Sequence, residues 1–448
     1  MRMSSLVERD LRVNWHPCTQ MADHQDFPPL AVTSARGVWL HLENGGRLLD
    51  GISSWWVNLF GHCHPRLLRV LADQASRLDH CMFASLTHPW AVELSERLTA
   101  LSGLHRVFYA DNGSSAVELA MKMAYHYQVN LGHPERKLFA HLSGSYHGET
   151  LGALSVGDLG LYGEPYRGIT RRNLRLEGPN CVDCSYGGTR SFCSLECLKR
   201  DVATLEAAAP EVCAVIVEPL VQGAAGMRMY PAGYFRGLRE AAGRLGILFI
   251  DDEIAMGFGR TGRIFAYQHA GVVPDLVCLS KGITGGMMPF SAVLATEGIY
   301  QAFYGGGLER AFLHSHSYCG NPLGCALGIE VLKMLEDMEV TALVGRLGDR
   351  LVDLMERYFR PFRYTWDIRS LGLVGAVELR RPDGSLLPPQ MRLGRQIGLE
   401  CMRRGVLLRP LGDVIYFLPP YVIGEDELEL MVRTACQAAE RVLEGADL

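Results

Sequence analysis

The sequence is poor in lysine. Of 44 Lys and Arg residues only five are lysine: Lys122, Lys137, Lys199, Lys281 and Lys333. Arginine serves as well for a surface charge but cannot act as a nucleophilic amine, so each retained lysine asks for a chemical reason. No apolar run reaches the roughly 18 residues that a membrane-spanning helix needs, and internal repeats and low-complexity tracts are missing. Basic residues do not exceed acidic ones: 44 stand against 49 Asp and Glu, a net charge of -5, which argues against nucleic acid or another polyanion as partner. The first 16 residues carry Arg2, Glu8, Arg9, Asp10 and Arg12 and no apolar core of signal-peptide type. Together with thirteen cysteines, this leads us to expect a reducing, cytoplasmic setting and no membrane.

What is present is ordinary globular composition, 48% apolar and 21% charged, over 448 residues, enough for two or three domains with their own cores. From about Leu104 to Ala295 short apolar runs alternate with helical patterns. The runs Arg106 to Ala110, Lys137 to His141, Ala214 to Val217, Ile247 to Asp251, Leu276 to Leu279 and Ser291 to Ala295 read as strands. They are apolar on both faces, as in a parallel sheet covered by helices. The expected fold class is α/β: a large domain, residues 56–327, with a mainly parallel sheet, and a smaller α+β domain, residues 328–448, joined by the N-terminal segment 1–55. In the smaller part Leu393 to Arg404 reads as a helix and Val406 to Arg409 as a strand. Leu428, Met431, Val432, Ala435, Ala439, Val442 and Leu443 form the apolar stripe of a closing helix.

Lys281 follows a buried strand and precedes Gly282-Ile283-Thr284-Gly285-Gly286, so its amine is expected at the carboxyl end of the sheet, where open α/β folds bind ligands. An amine partly desolvated there has a lowered pKa and can form a Schiff base; the plainer alternative is a surface lysine. Asp252 ends another buried strand and needs a cationic partner. A protonated pyridine nitrogen would serve, and so would Arg260. Asp111-Asn112-Gly113-Ser114-Ser115 opens a helix as a phosphate site does, though an ordinary N-cap reads the same way. Tyr146, after the next strand, offers a ring either for packing or for stacking on a flat cofactor.

Taken together, Asp252-Glu253-Ile254-Ala255-Met256-Gly257-Phe258-Gly259-Arg260-Thr261-Gly262 followed by Ser280-Lys281-Gly282 resembles the class III pyridoxal-phosphate aminotransferases of fold type I, over nearly the whole chain. Within that class, Trp15-His16-Pro17, Ser53-Ser54-Trp55-Trp56, Val221-Gln222-Gly223-Ala224-Ala225-Gly226 and Arg409-Pro410-Leu411-Gly412-Asp413 resemble the members that aminate 8-amino-7-oxononanoate to 7,8-diaminononanoate in biotin synthesis. The resemblance implies an aminotransferase with pyridoxal 5′-phosphate as cofactor, S-adenosylmethionine as amino donor and a homodimeric assembly. Lysine as donor and another class III omega-aminotransferase are the alternatives. A pyridoxal-binding regulatory protein is a third, disfavoured because Lys281 and Asp252 are both intact. By the same resemblance Lys281 and Asp252 are catalytic, Gly113 and Ser114 cradle the phosphate, Tyr146 stacks on the cofactor and borders substrate, and His316 and Ser317 complete the neighbouring subunit's phosphate site. Trp55, Ser315 and Arg409 match substrate positions, Arg409 receiving a carboxylate. Cys18 stands in the substrate pocket where relatives commonly carry Tyr, and Glu149 where they carry Asp. Glu218 matches a glutamate beside the cofactor.

Cys181-x2-Cys184-x8-Cys193-x3-Cys197 is a second dense signal. Four thiolates at such spacing suit zinc or an iron–sulfur cluster; structural or free thiols, the reading that leaves the chain without a metal, and disulfides are the alternatives. His62 and His64 have metal-like letters without a third ligand, so structural roles are expected.

Overall fold

The computed structural model describes residues 4–446. Residues 1–3 and 447–448, the outer ends of the segments 1–55 and 328–448, lie outside the described residues. Near the N-terminus β1 (Val32–Arg36), β2 (Trp39–Leu42) and β3 (Arg47–Asp50) pair as an antiparallel meander. The central sheet is built from β4 (Arg106–Ala110), β5 (Leu138–Leu142), β6 (Leu174–Leu176) and β7 (Val212–Val217). A small hairpin, β8 (Val221–Gln222) and β9 (Arg228–Met229), stands apart. Then β10 (Leu248–Asp252), β11 (Leu276–Leu279) and β12 (Ser291–Ala295) complete the sheet in the order β4-β12-β11-β10-β7-β5-β6.

Strands β7, β10, β11 and β12 are buried along their whole length, which is why their sequences are apolar on both faces. Most neighbours are parallel, but β12 runs antiparallel to both β11 and β4. Apolar content carries no direction; the connection does. Residues 280–290 are too few for the crossover that a parallel return requires. The three-residue β6 escaped the sequence reading because its Arg175 breaks a run already too short to show periodicity.

Beyond the sheet, helices Pro322–Asp337 and Val340–Phe359 lead to β13 (Thr365–Leu371) and β14 (Val374–Leu379), then to β15 (Val406–Leu407) and β16 (Val414–Phe417). β13, β14 and β16 form an antiparallel sheet, while β15 pairs parallel with β3, setting Leu407 opposite Asp50. This pairing ties the N-terminal meander to the C-terminal part and carries residues 50–56 and 408–412 to one place. The closing helix Glu425–Glu444 buries Leu428, Met431, Val432, Ala435, Ala439 and Leu443. Among the described residues no helix is long and apolar enough to cross a membrane.

Candidate active site

The carboxyl ends of β4, β5, β7, β10 and β11 converge on one cavity of about 270 Å³, lined among others by Trp56, Ser114, Tyr146, Glu218, Asp252 and Lys281. Each side chain is delivered by the tip of a strand or by the segment that follows it. Asp252, at the tip of β10, is buried, and its Oδ2 lies 2.7 Å from His147 Nδ1 while Oδ1 accepts the Ile254 N–H at 3.1 Å. The expected alternative partner, Arg260, is turned away: its Nη1 donates to the Pro419 carbonyl and its guanidinium lies over the Tyr421 ring. His147 was missed as the partner. Its place beside Tyr146 was the available signal, but sequence cannot show that the β5 and β10 loops face each other.

Lys281 takes a left-handed backbone conformation, φ +44°, straight after β11. Its Nζ lies 4.5 Å from the centre of the Trp56 ring. Burial brings the amine down from 10.5 to about 8, against the opposing pull of Asp252 and Glu218. Glu218 is itself buried, with Oε1 accepting the Gly223 N–H at 2.9 Å and Oε2 the Tyr146 N–H at 3.0 Å. Burial still pushes its carboxyl up to about 7.

The helix Gly113–Asn130 opens beside them. Asn112 caps it through the Ser115 N–H, so the N-cap reading holds as well. Ser114 Oγ accepts the Glu149 N–H at 3.1 Å, and Gly148, at φ +117°, fits only because it lacks a side chain: a Cβ there would lie 2.0 Å from Ser114 Oγ. The cavity thus offers an amine for an aldehyde, a buried carboxylate for a ring nitrogen, and a glycine-cleared helix N-terminus with a hydroxyl for a phosphate. Among the described residues the buried His147 Nε2 has no partner. These features suit pyridoxal phosphate.

A second, larger cavity of about 1000 Å³ is lined by residues including Cys18, Tyr162 and Arg409. Tyr162 meets the Tyr146 ring at 5.8 Å, so the two cavities adjoin. The Arg409 guanidinium sits 4.9 Å from the Trp55 ring centre, and its Nη2 donates to the Cys18 carbonyl at 2.8 Å. Trp55 and Trp56 belong to a turn in which Ser53, Ser54, Trp55 and Trp56 all have positive φ, at a cost of roughly 1–2 kcal/mol per residue.

Residues 20–438 match the aminotransferase class III family. The chain belongs to the class III aminotransferases. An enzyme of Geobacter sulfurreducens called adenosylmethionine-8-amino-7-oxononanoate aminotransferase is 39% identical over 436 residues, 96% of each chain. The crystal structure of the Methanocaldococcus jannaschii enzyme of that name superposes with a TM-score of 0.90 at 31% identity, covering 99% of both chains. An amine transaminase from an uncultivated Pseudomonas species, in its pyridoxal-phosphate-bound form, gives 0.89 at 32% identity, covering 95% of this chain and 98% of the other.

Not all expected residues of this aminotransferase meet in one chain. Ser315 and Ser317 are exposed, and His316 Nδ1 lies 3.1 Å from Asp111 Oδ2, outside the Lys281 cavity. Tyr146 donates its hydroxyl to the exposed Glu149 Oε1 at 3.0 Å, so Glu149 stands beside a ring that lines the cavity. Cys181, Cys184, Cys193 and Cys197 line a separate cavity of about 220 Å³ and are all free, so the disulfide alternative is not realised. Among the described residues no three His, Cys, Asp or Glu groups are arranged to hold a metal ion. His62 bonds Asp50.

Proposed function

We propose that this aminotransferase moves an amino group from S-adenosylmethionine to 8-amino-7-oxononanoate, giving 7,8-diaminononanoate in biotin biosynthesis, with pyridoxal 5′-phosphate, as a cytoplasmic homodimer. The observation that carries this reading is the pair of adjoining cavities, an amine and a buried carboxylate in one and the Arg409 guanidinium in the other. It fits a keto acid whose reacting carbon lies far from its carboxylate, and the names of the full-length relatives support it.

When bound, the cofactor supplies an electron sink for the charge left on the substrate carbon. Lys281 Nζ would anchor the cofactor's aldehyde end and would shuttle the proton between the donor's α-carbon and that aldehyde carbon, burial having lowered the amine to about 8. Asp252 would hold a positive ring nitrogen by charge, with His147 fixing the carboxylate. Gly113 and Ser114 would hold the phosphate, and Tyr146 would offer its ring to the cofactor. Arg409 grips the acceptor's carboxylate as a planar fork, with Trp55 keeping the guanidinium in place. The exposed Ser317, with His316, would complete the partner's phosphate site, which is the ground for a homodimer, while Ser315 would face substrate.

The test is direct. Purified protein with pyridoxal phosphate and 8-amino-7-oxononanoate is given adenosylmethionine or lysine, and diamine is followed by mass spectrometry. Diamine with adenosylmethionine alone is expected. Diamine with lysine alone overturns the donor, and none with any amine donor overturns the acceptor.

A further inference from the structure

We propose that Asp50, which touches neither cavity, is a positioning residue that sets both ends of the substrate site through one left-handed turn. The inference rests on the assignment of Lys281 and Arg409 just made.

Asp50 ends β3, is fully buried, and among the described residues forms no ion pair with Lys or Arg. Its carboxylate instead collects four donors. Oδ1 accepts the N–H groups of Ile52 at 3.3 Å and Ser54 at 3.0 Å; Oδ2 accepts the Ser54 hydroxyl at 2.7 Å and faces His62 Nε2 at 2.9 Å. A buried carboxylate is tolerated when its oxygens are satisfied in this way. Two of the four donors belong to Ser54 in the turn that follows, and a third to Ile52 at its entry. His62 is held from outside it, by a two-way backbone bridge with Gly37 at 2.7 and 3.1 Å.

The turn needs such a hold. Ser53, Ser54, Trp55 and Trp56 have φ of 51°, 45°, 73° and 73°, a region that residues with a Cβ avoid. A run of four persists only where the surroundings over-determine it. Its effect is to send neighbouring indoles to different places. Trp56 donates Nε1–H to the Tyr416 hydroxyl at 3.1 Å and lays its ring against Lys281 Nζ, in space that a Cβ at Gly223 would invade at 2.9 Å. Trp55 turns its ring to the Arg409 guanidinium. One carboxylate therefore fixes the aromatic face at the reacting amine and the one at the carboxylate clamp. Released from it, the turn relaxes toward ordinary backbone angles and both rings move.

The experiment compares holoenzyme carrying Asp50→Ala, Asp50→Asn, Trp55→Ala and the double change Asp50→Ala with Trp55→Ala. Expected for Asp50→Ala is a rise of about tenfold or more in the acceptor's apparent KM, a displaced pH titration of the cofactor's visible absorbance, and a changed near-ultraviolet tryptophan dichroism. Asp50→Asn keeps an acceptor oxygen for the Ile52 and Ser54 N–H groups and recovers most of the loss. In the double variant Asp50→Ala adds little to the acceptor KM beyond Trp55→Ala. The proposal is overturned if Asp50→Ala leaves KM, titration and dichroism within twofold of the parent, or if the two KM effects simply multiply. If Asp50→Ala does not fold, Ser54→Ala, which removes only one donor to Oδ2, decides: a raised acceptor KM with altered dichroism supports the proposal, and no change in either overturns it. Failure of the underlying assignment looks different, since Arg409→Ala and Trp55→Ala would then leave the acceptor KM unmoved while the dichroism of Asp50→Ala still changes.

Discussion

Replacing Lys281 with methionine should stabilise the cofactor-free protein while ending turnover. The amine is held at about 8 instead of 10.5, chiefly by burial. Below pH 8 the unfolded chain binds this proton more tightly than the folded one, so the folded state carries a penalty. The difference corresponds to at most about 3 kcal/mol. Because the amine borders a cavity and not close-packed matrix, we expect about 1–3 kcal/mol. The sign follows from the direction of the shift: for a lowered lysine the penalty is fully present below about pH 8 and fades as pH rises toward 10.5. Methionine matches the side chain in length and flexibility and removes the charge. Urea unfolding of both cofactor-free proteins at pH 7 and near pH 10.5 checks it. A gain at pH 7 that closes at high pH is expected. No gain, or a gain indifferent to pH, would refute the claim that burial of the amine is what lowers its pKa.

Three further outcomes follow from the same site. Asp252→Asn keeps the acceptor for the Ile254 N–H but removes the charge, and should cost at least about a hundredfold in kcat; an unchanged rate would leave the carboxylate a structural part. Arg409→Ala should raise the apparent KM for the keto acid by about tenfold or more while cofactor affinity, followed by absorbance titration, stays put; equal damage to both would remove the clamp. Gly148→Ala drives a Cβ into Ser114 Oγ and should weaken cofactor binding by about tenfold or more, with unchanged affinity contradicting the phosphate cradle.

The strand tips were readable because fully buried strands must be apolar and a charged residue at their end stands out. Lys281 and Asp252 announce themselves for that reason. The loops that face each other across the cavity were not readable. Nothing local in Tyr146-His147-Gly148 says that His147 reaches Asp252, and Asp50 looks like any strand-ending acid until β3 is seen beside β15. The left-handed turn at Ser53–Trp56 was equally hidden, since no glycine marks it and its conformation is imposed by contacts distant in sequence, among them Ser53 Oγ to the Leu418 carbonyl. Direction in the sheet was lost too: β12 has a parallel strand's composition and an antiparallel strand's connection.

Glu149 is where donor and acceptor specificity should separate. Its N–H is fixed to Ser114 Oγ and its carboxylate to the Tyr146 hydroxyl, so the charge stands between the phosphate end and the stacking ring, exposed to solvent. Either proposed donor brings a distal cation, the sulfonium of adenosylmethionine or the ammonium of lysine, whereas the keto acid's binding end is an anion that the proposed function assigns to Arg409. An exposed ion pair of this kind is worth about 1 kcal/mol at most, and salt screens it. Glu149→Gln preserves the hydrogen bonds to a good approximation and should raise the donor's apparent KM about fivefold at low ionic strength, less at high salt, with the acceptor half-reaction unchanged. Stopped-flow measurement of the two half-reactions separates these. An equal effect on both halves, or none on the donor half at low salt, would remove Glu149 from donor recognition and leave its bond to Tyr146 as its whole role.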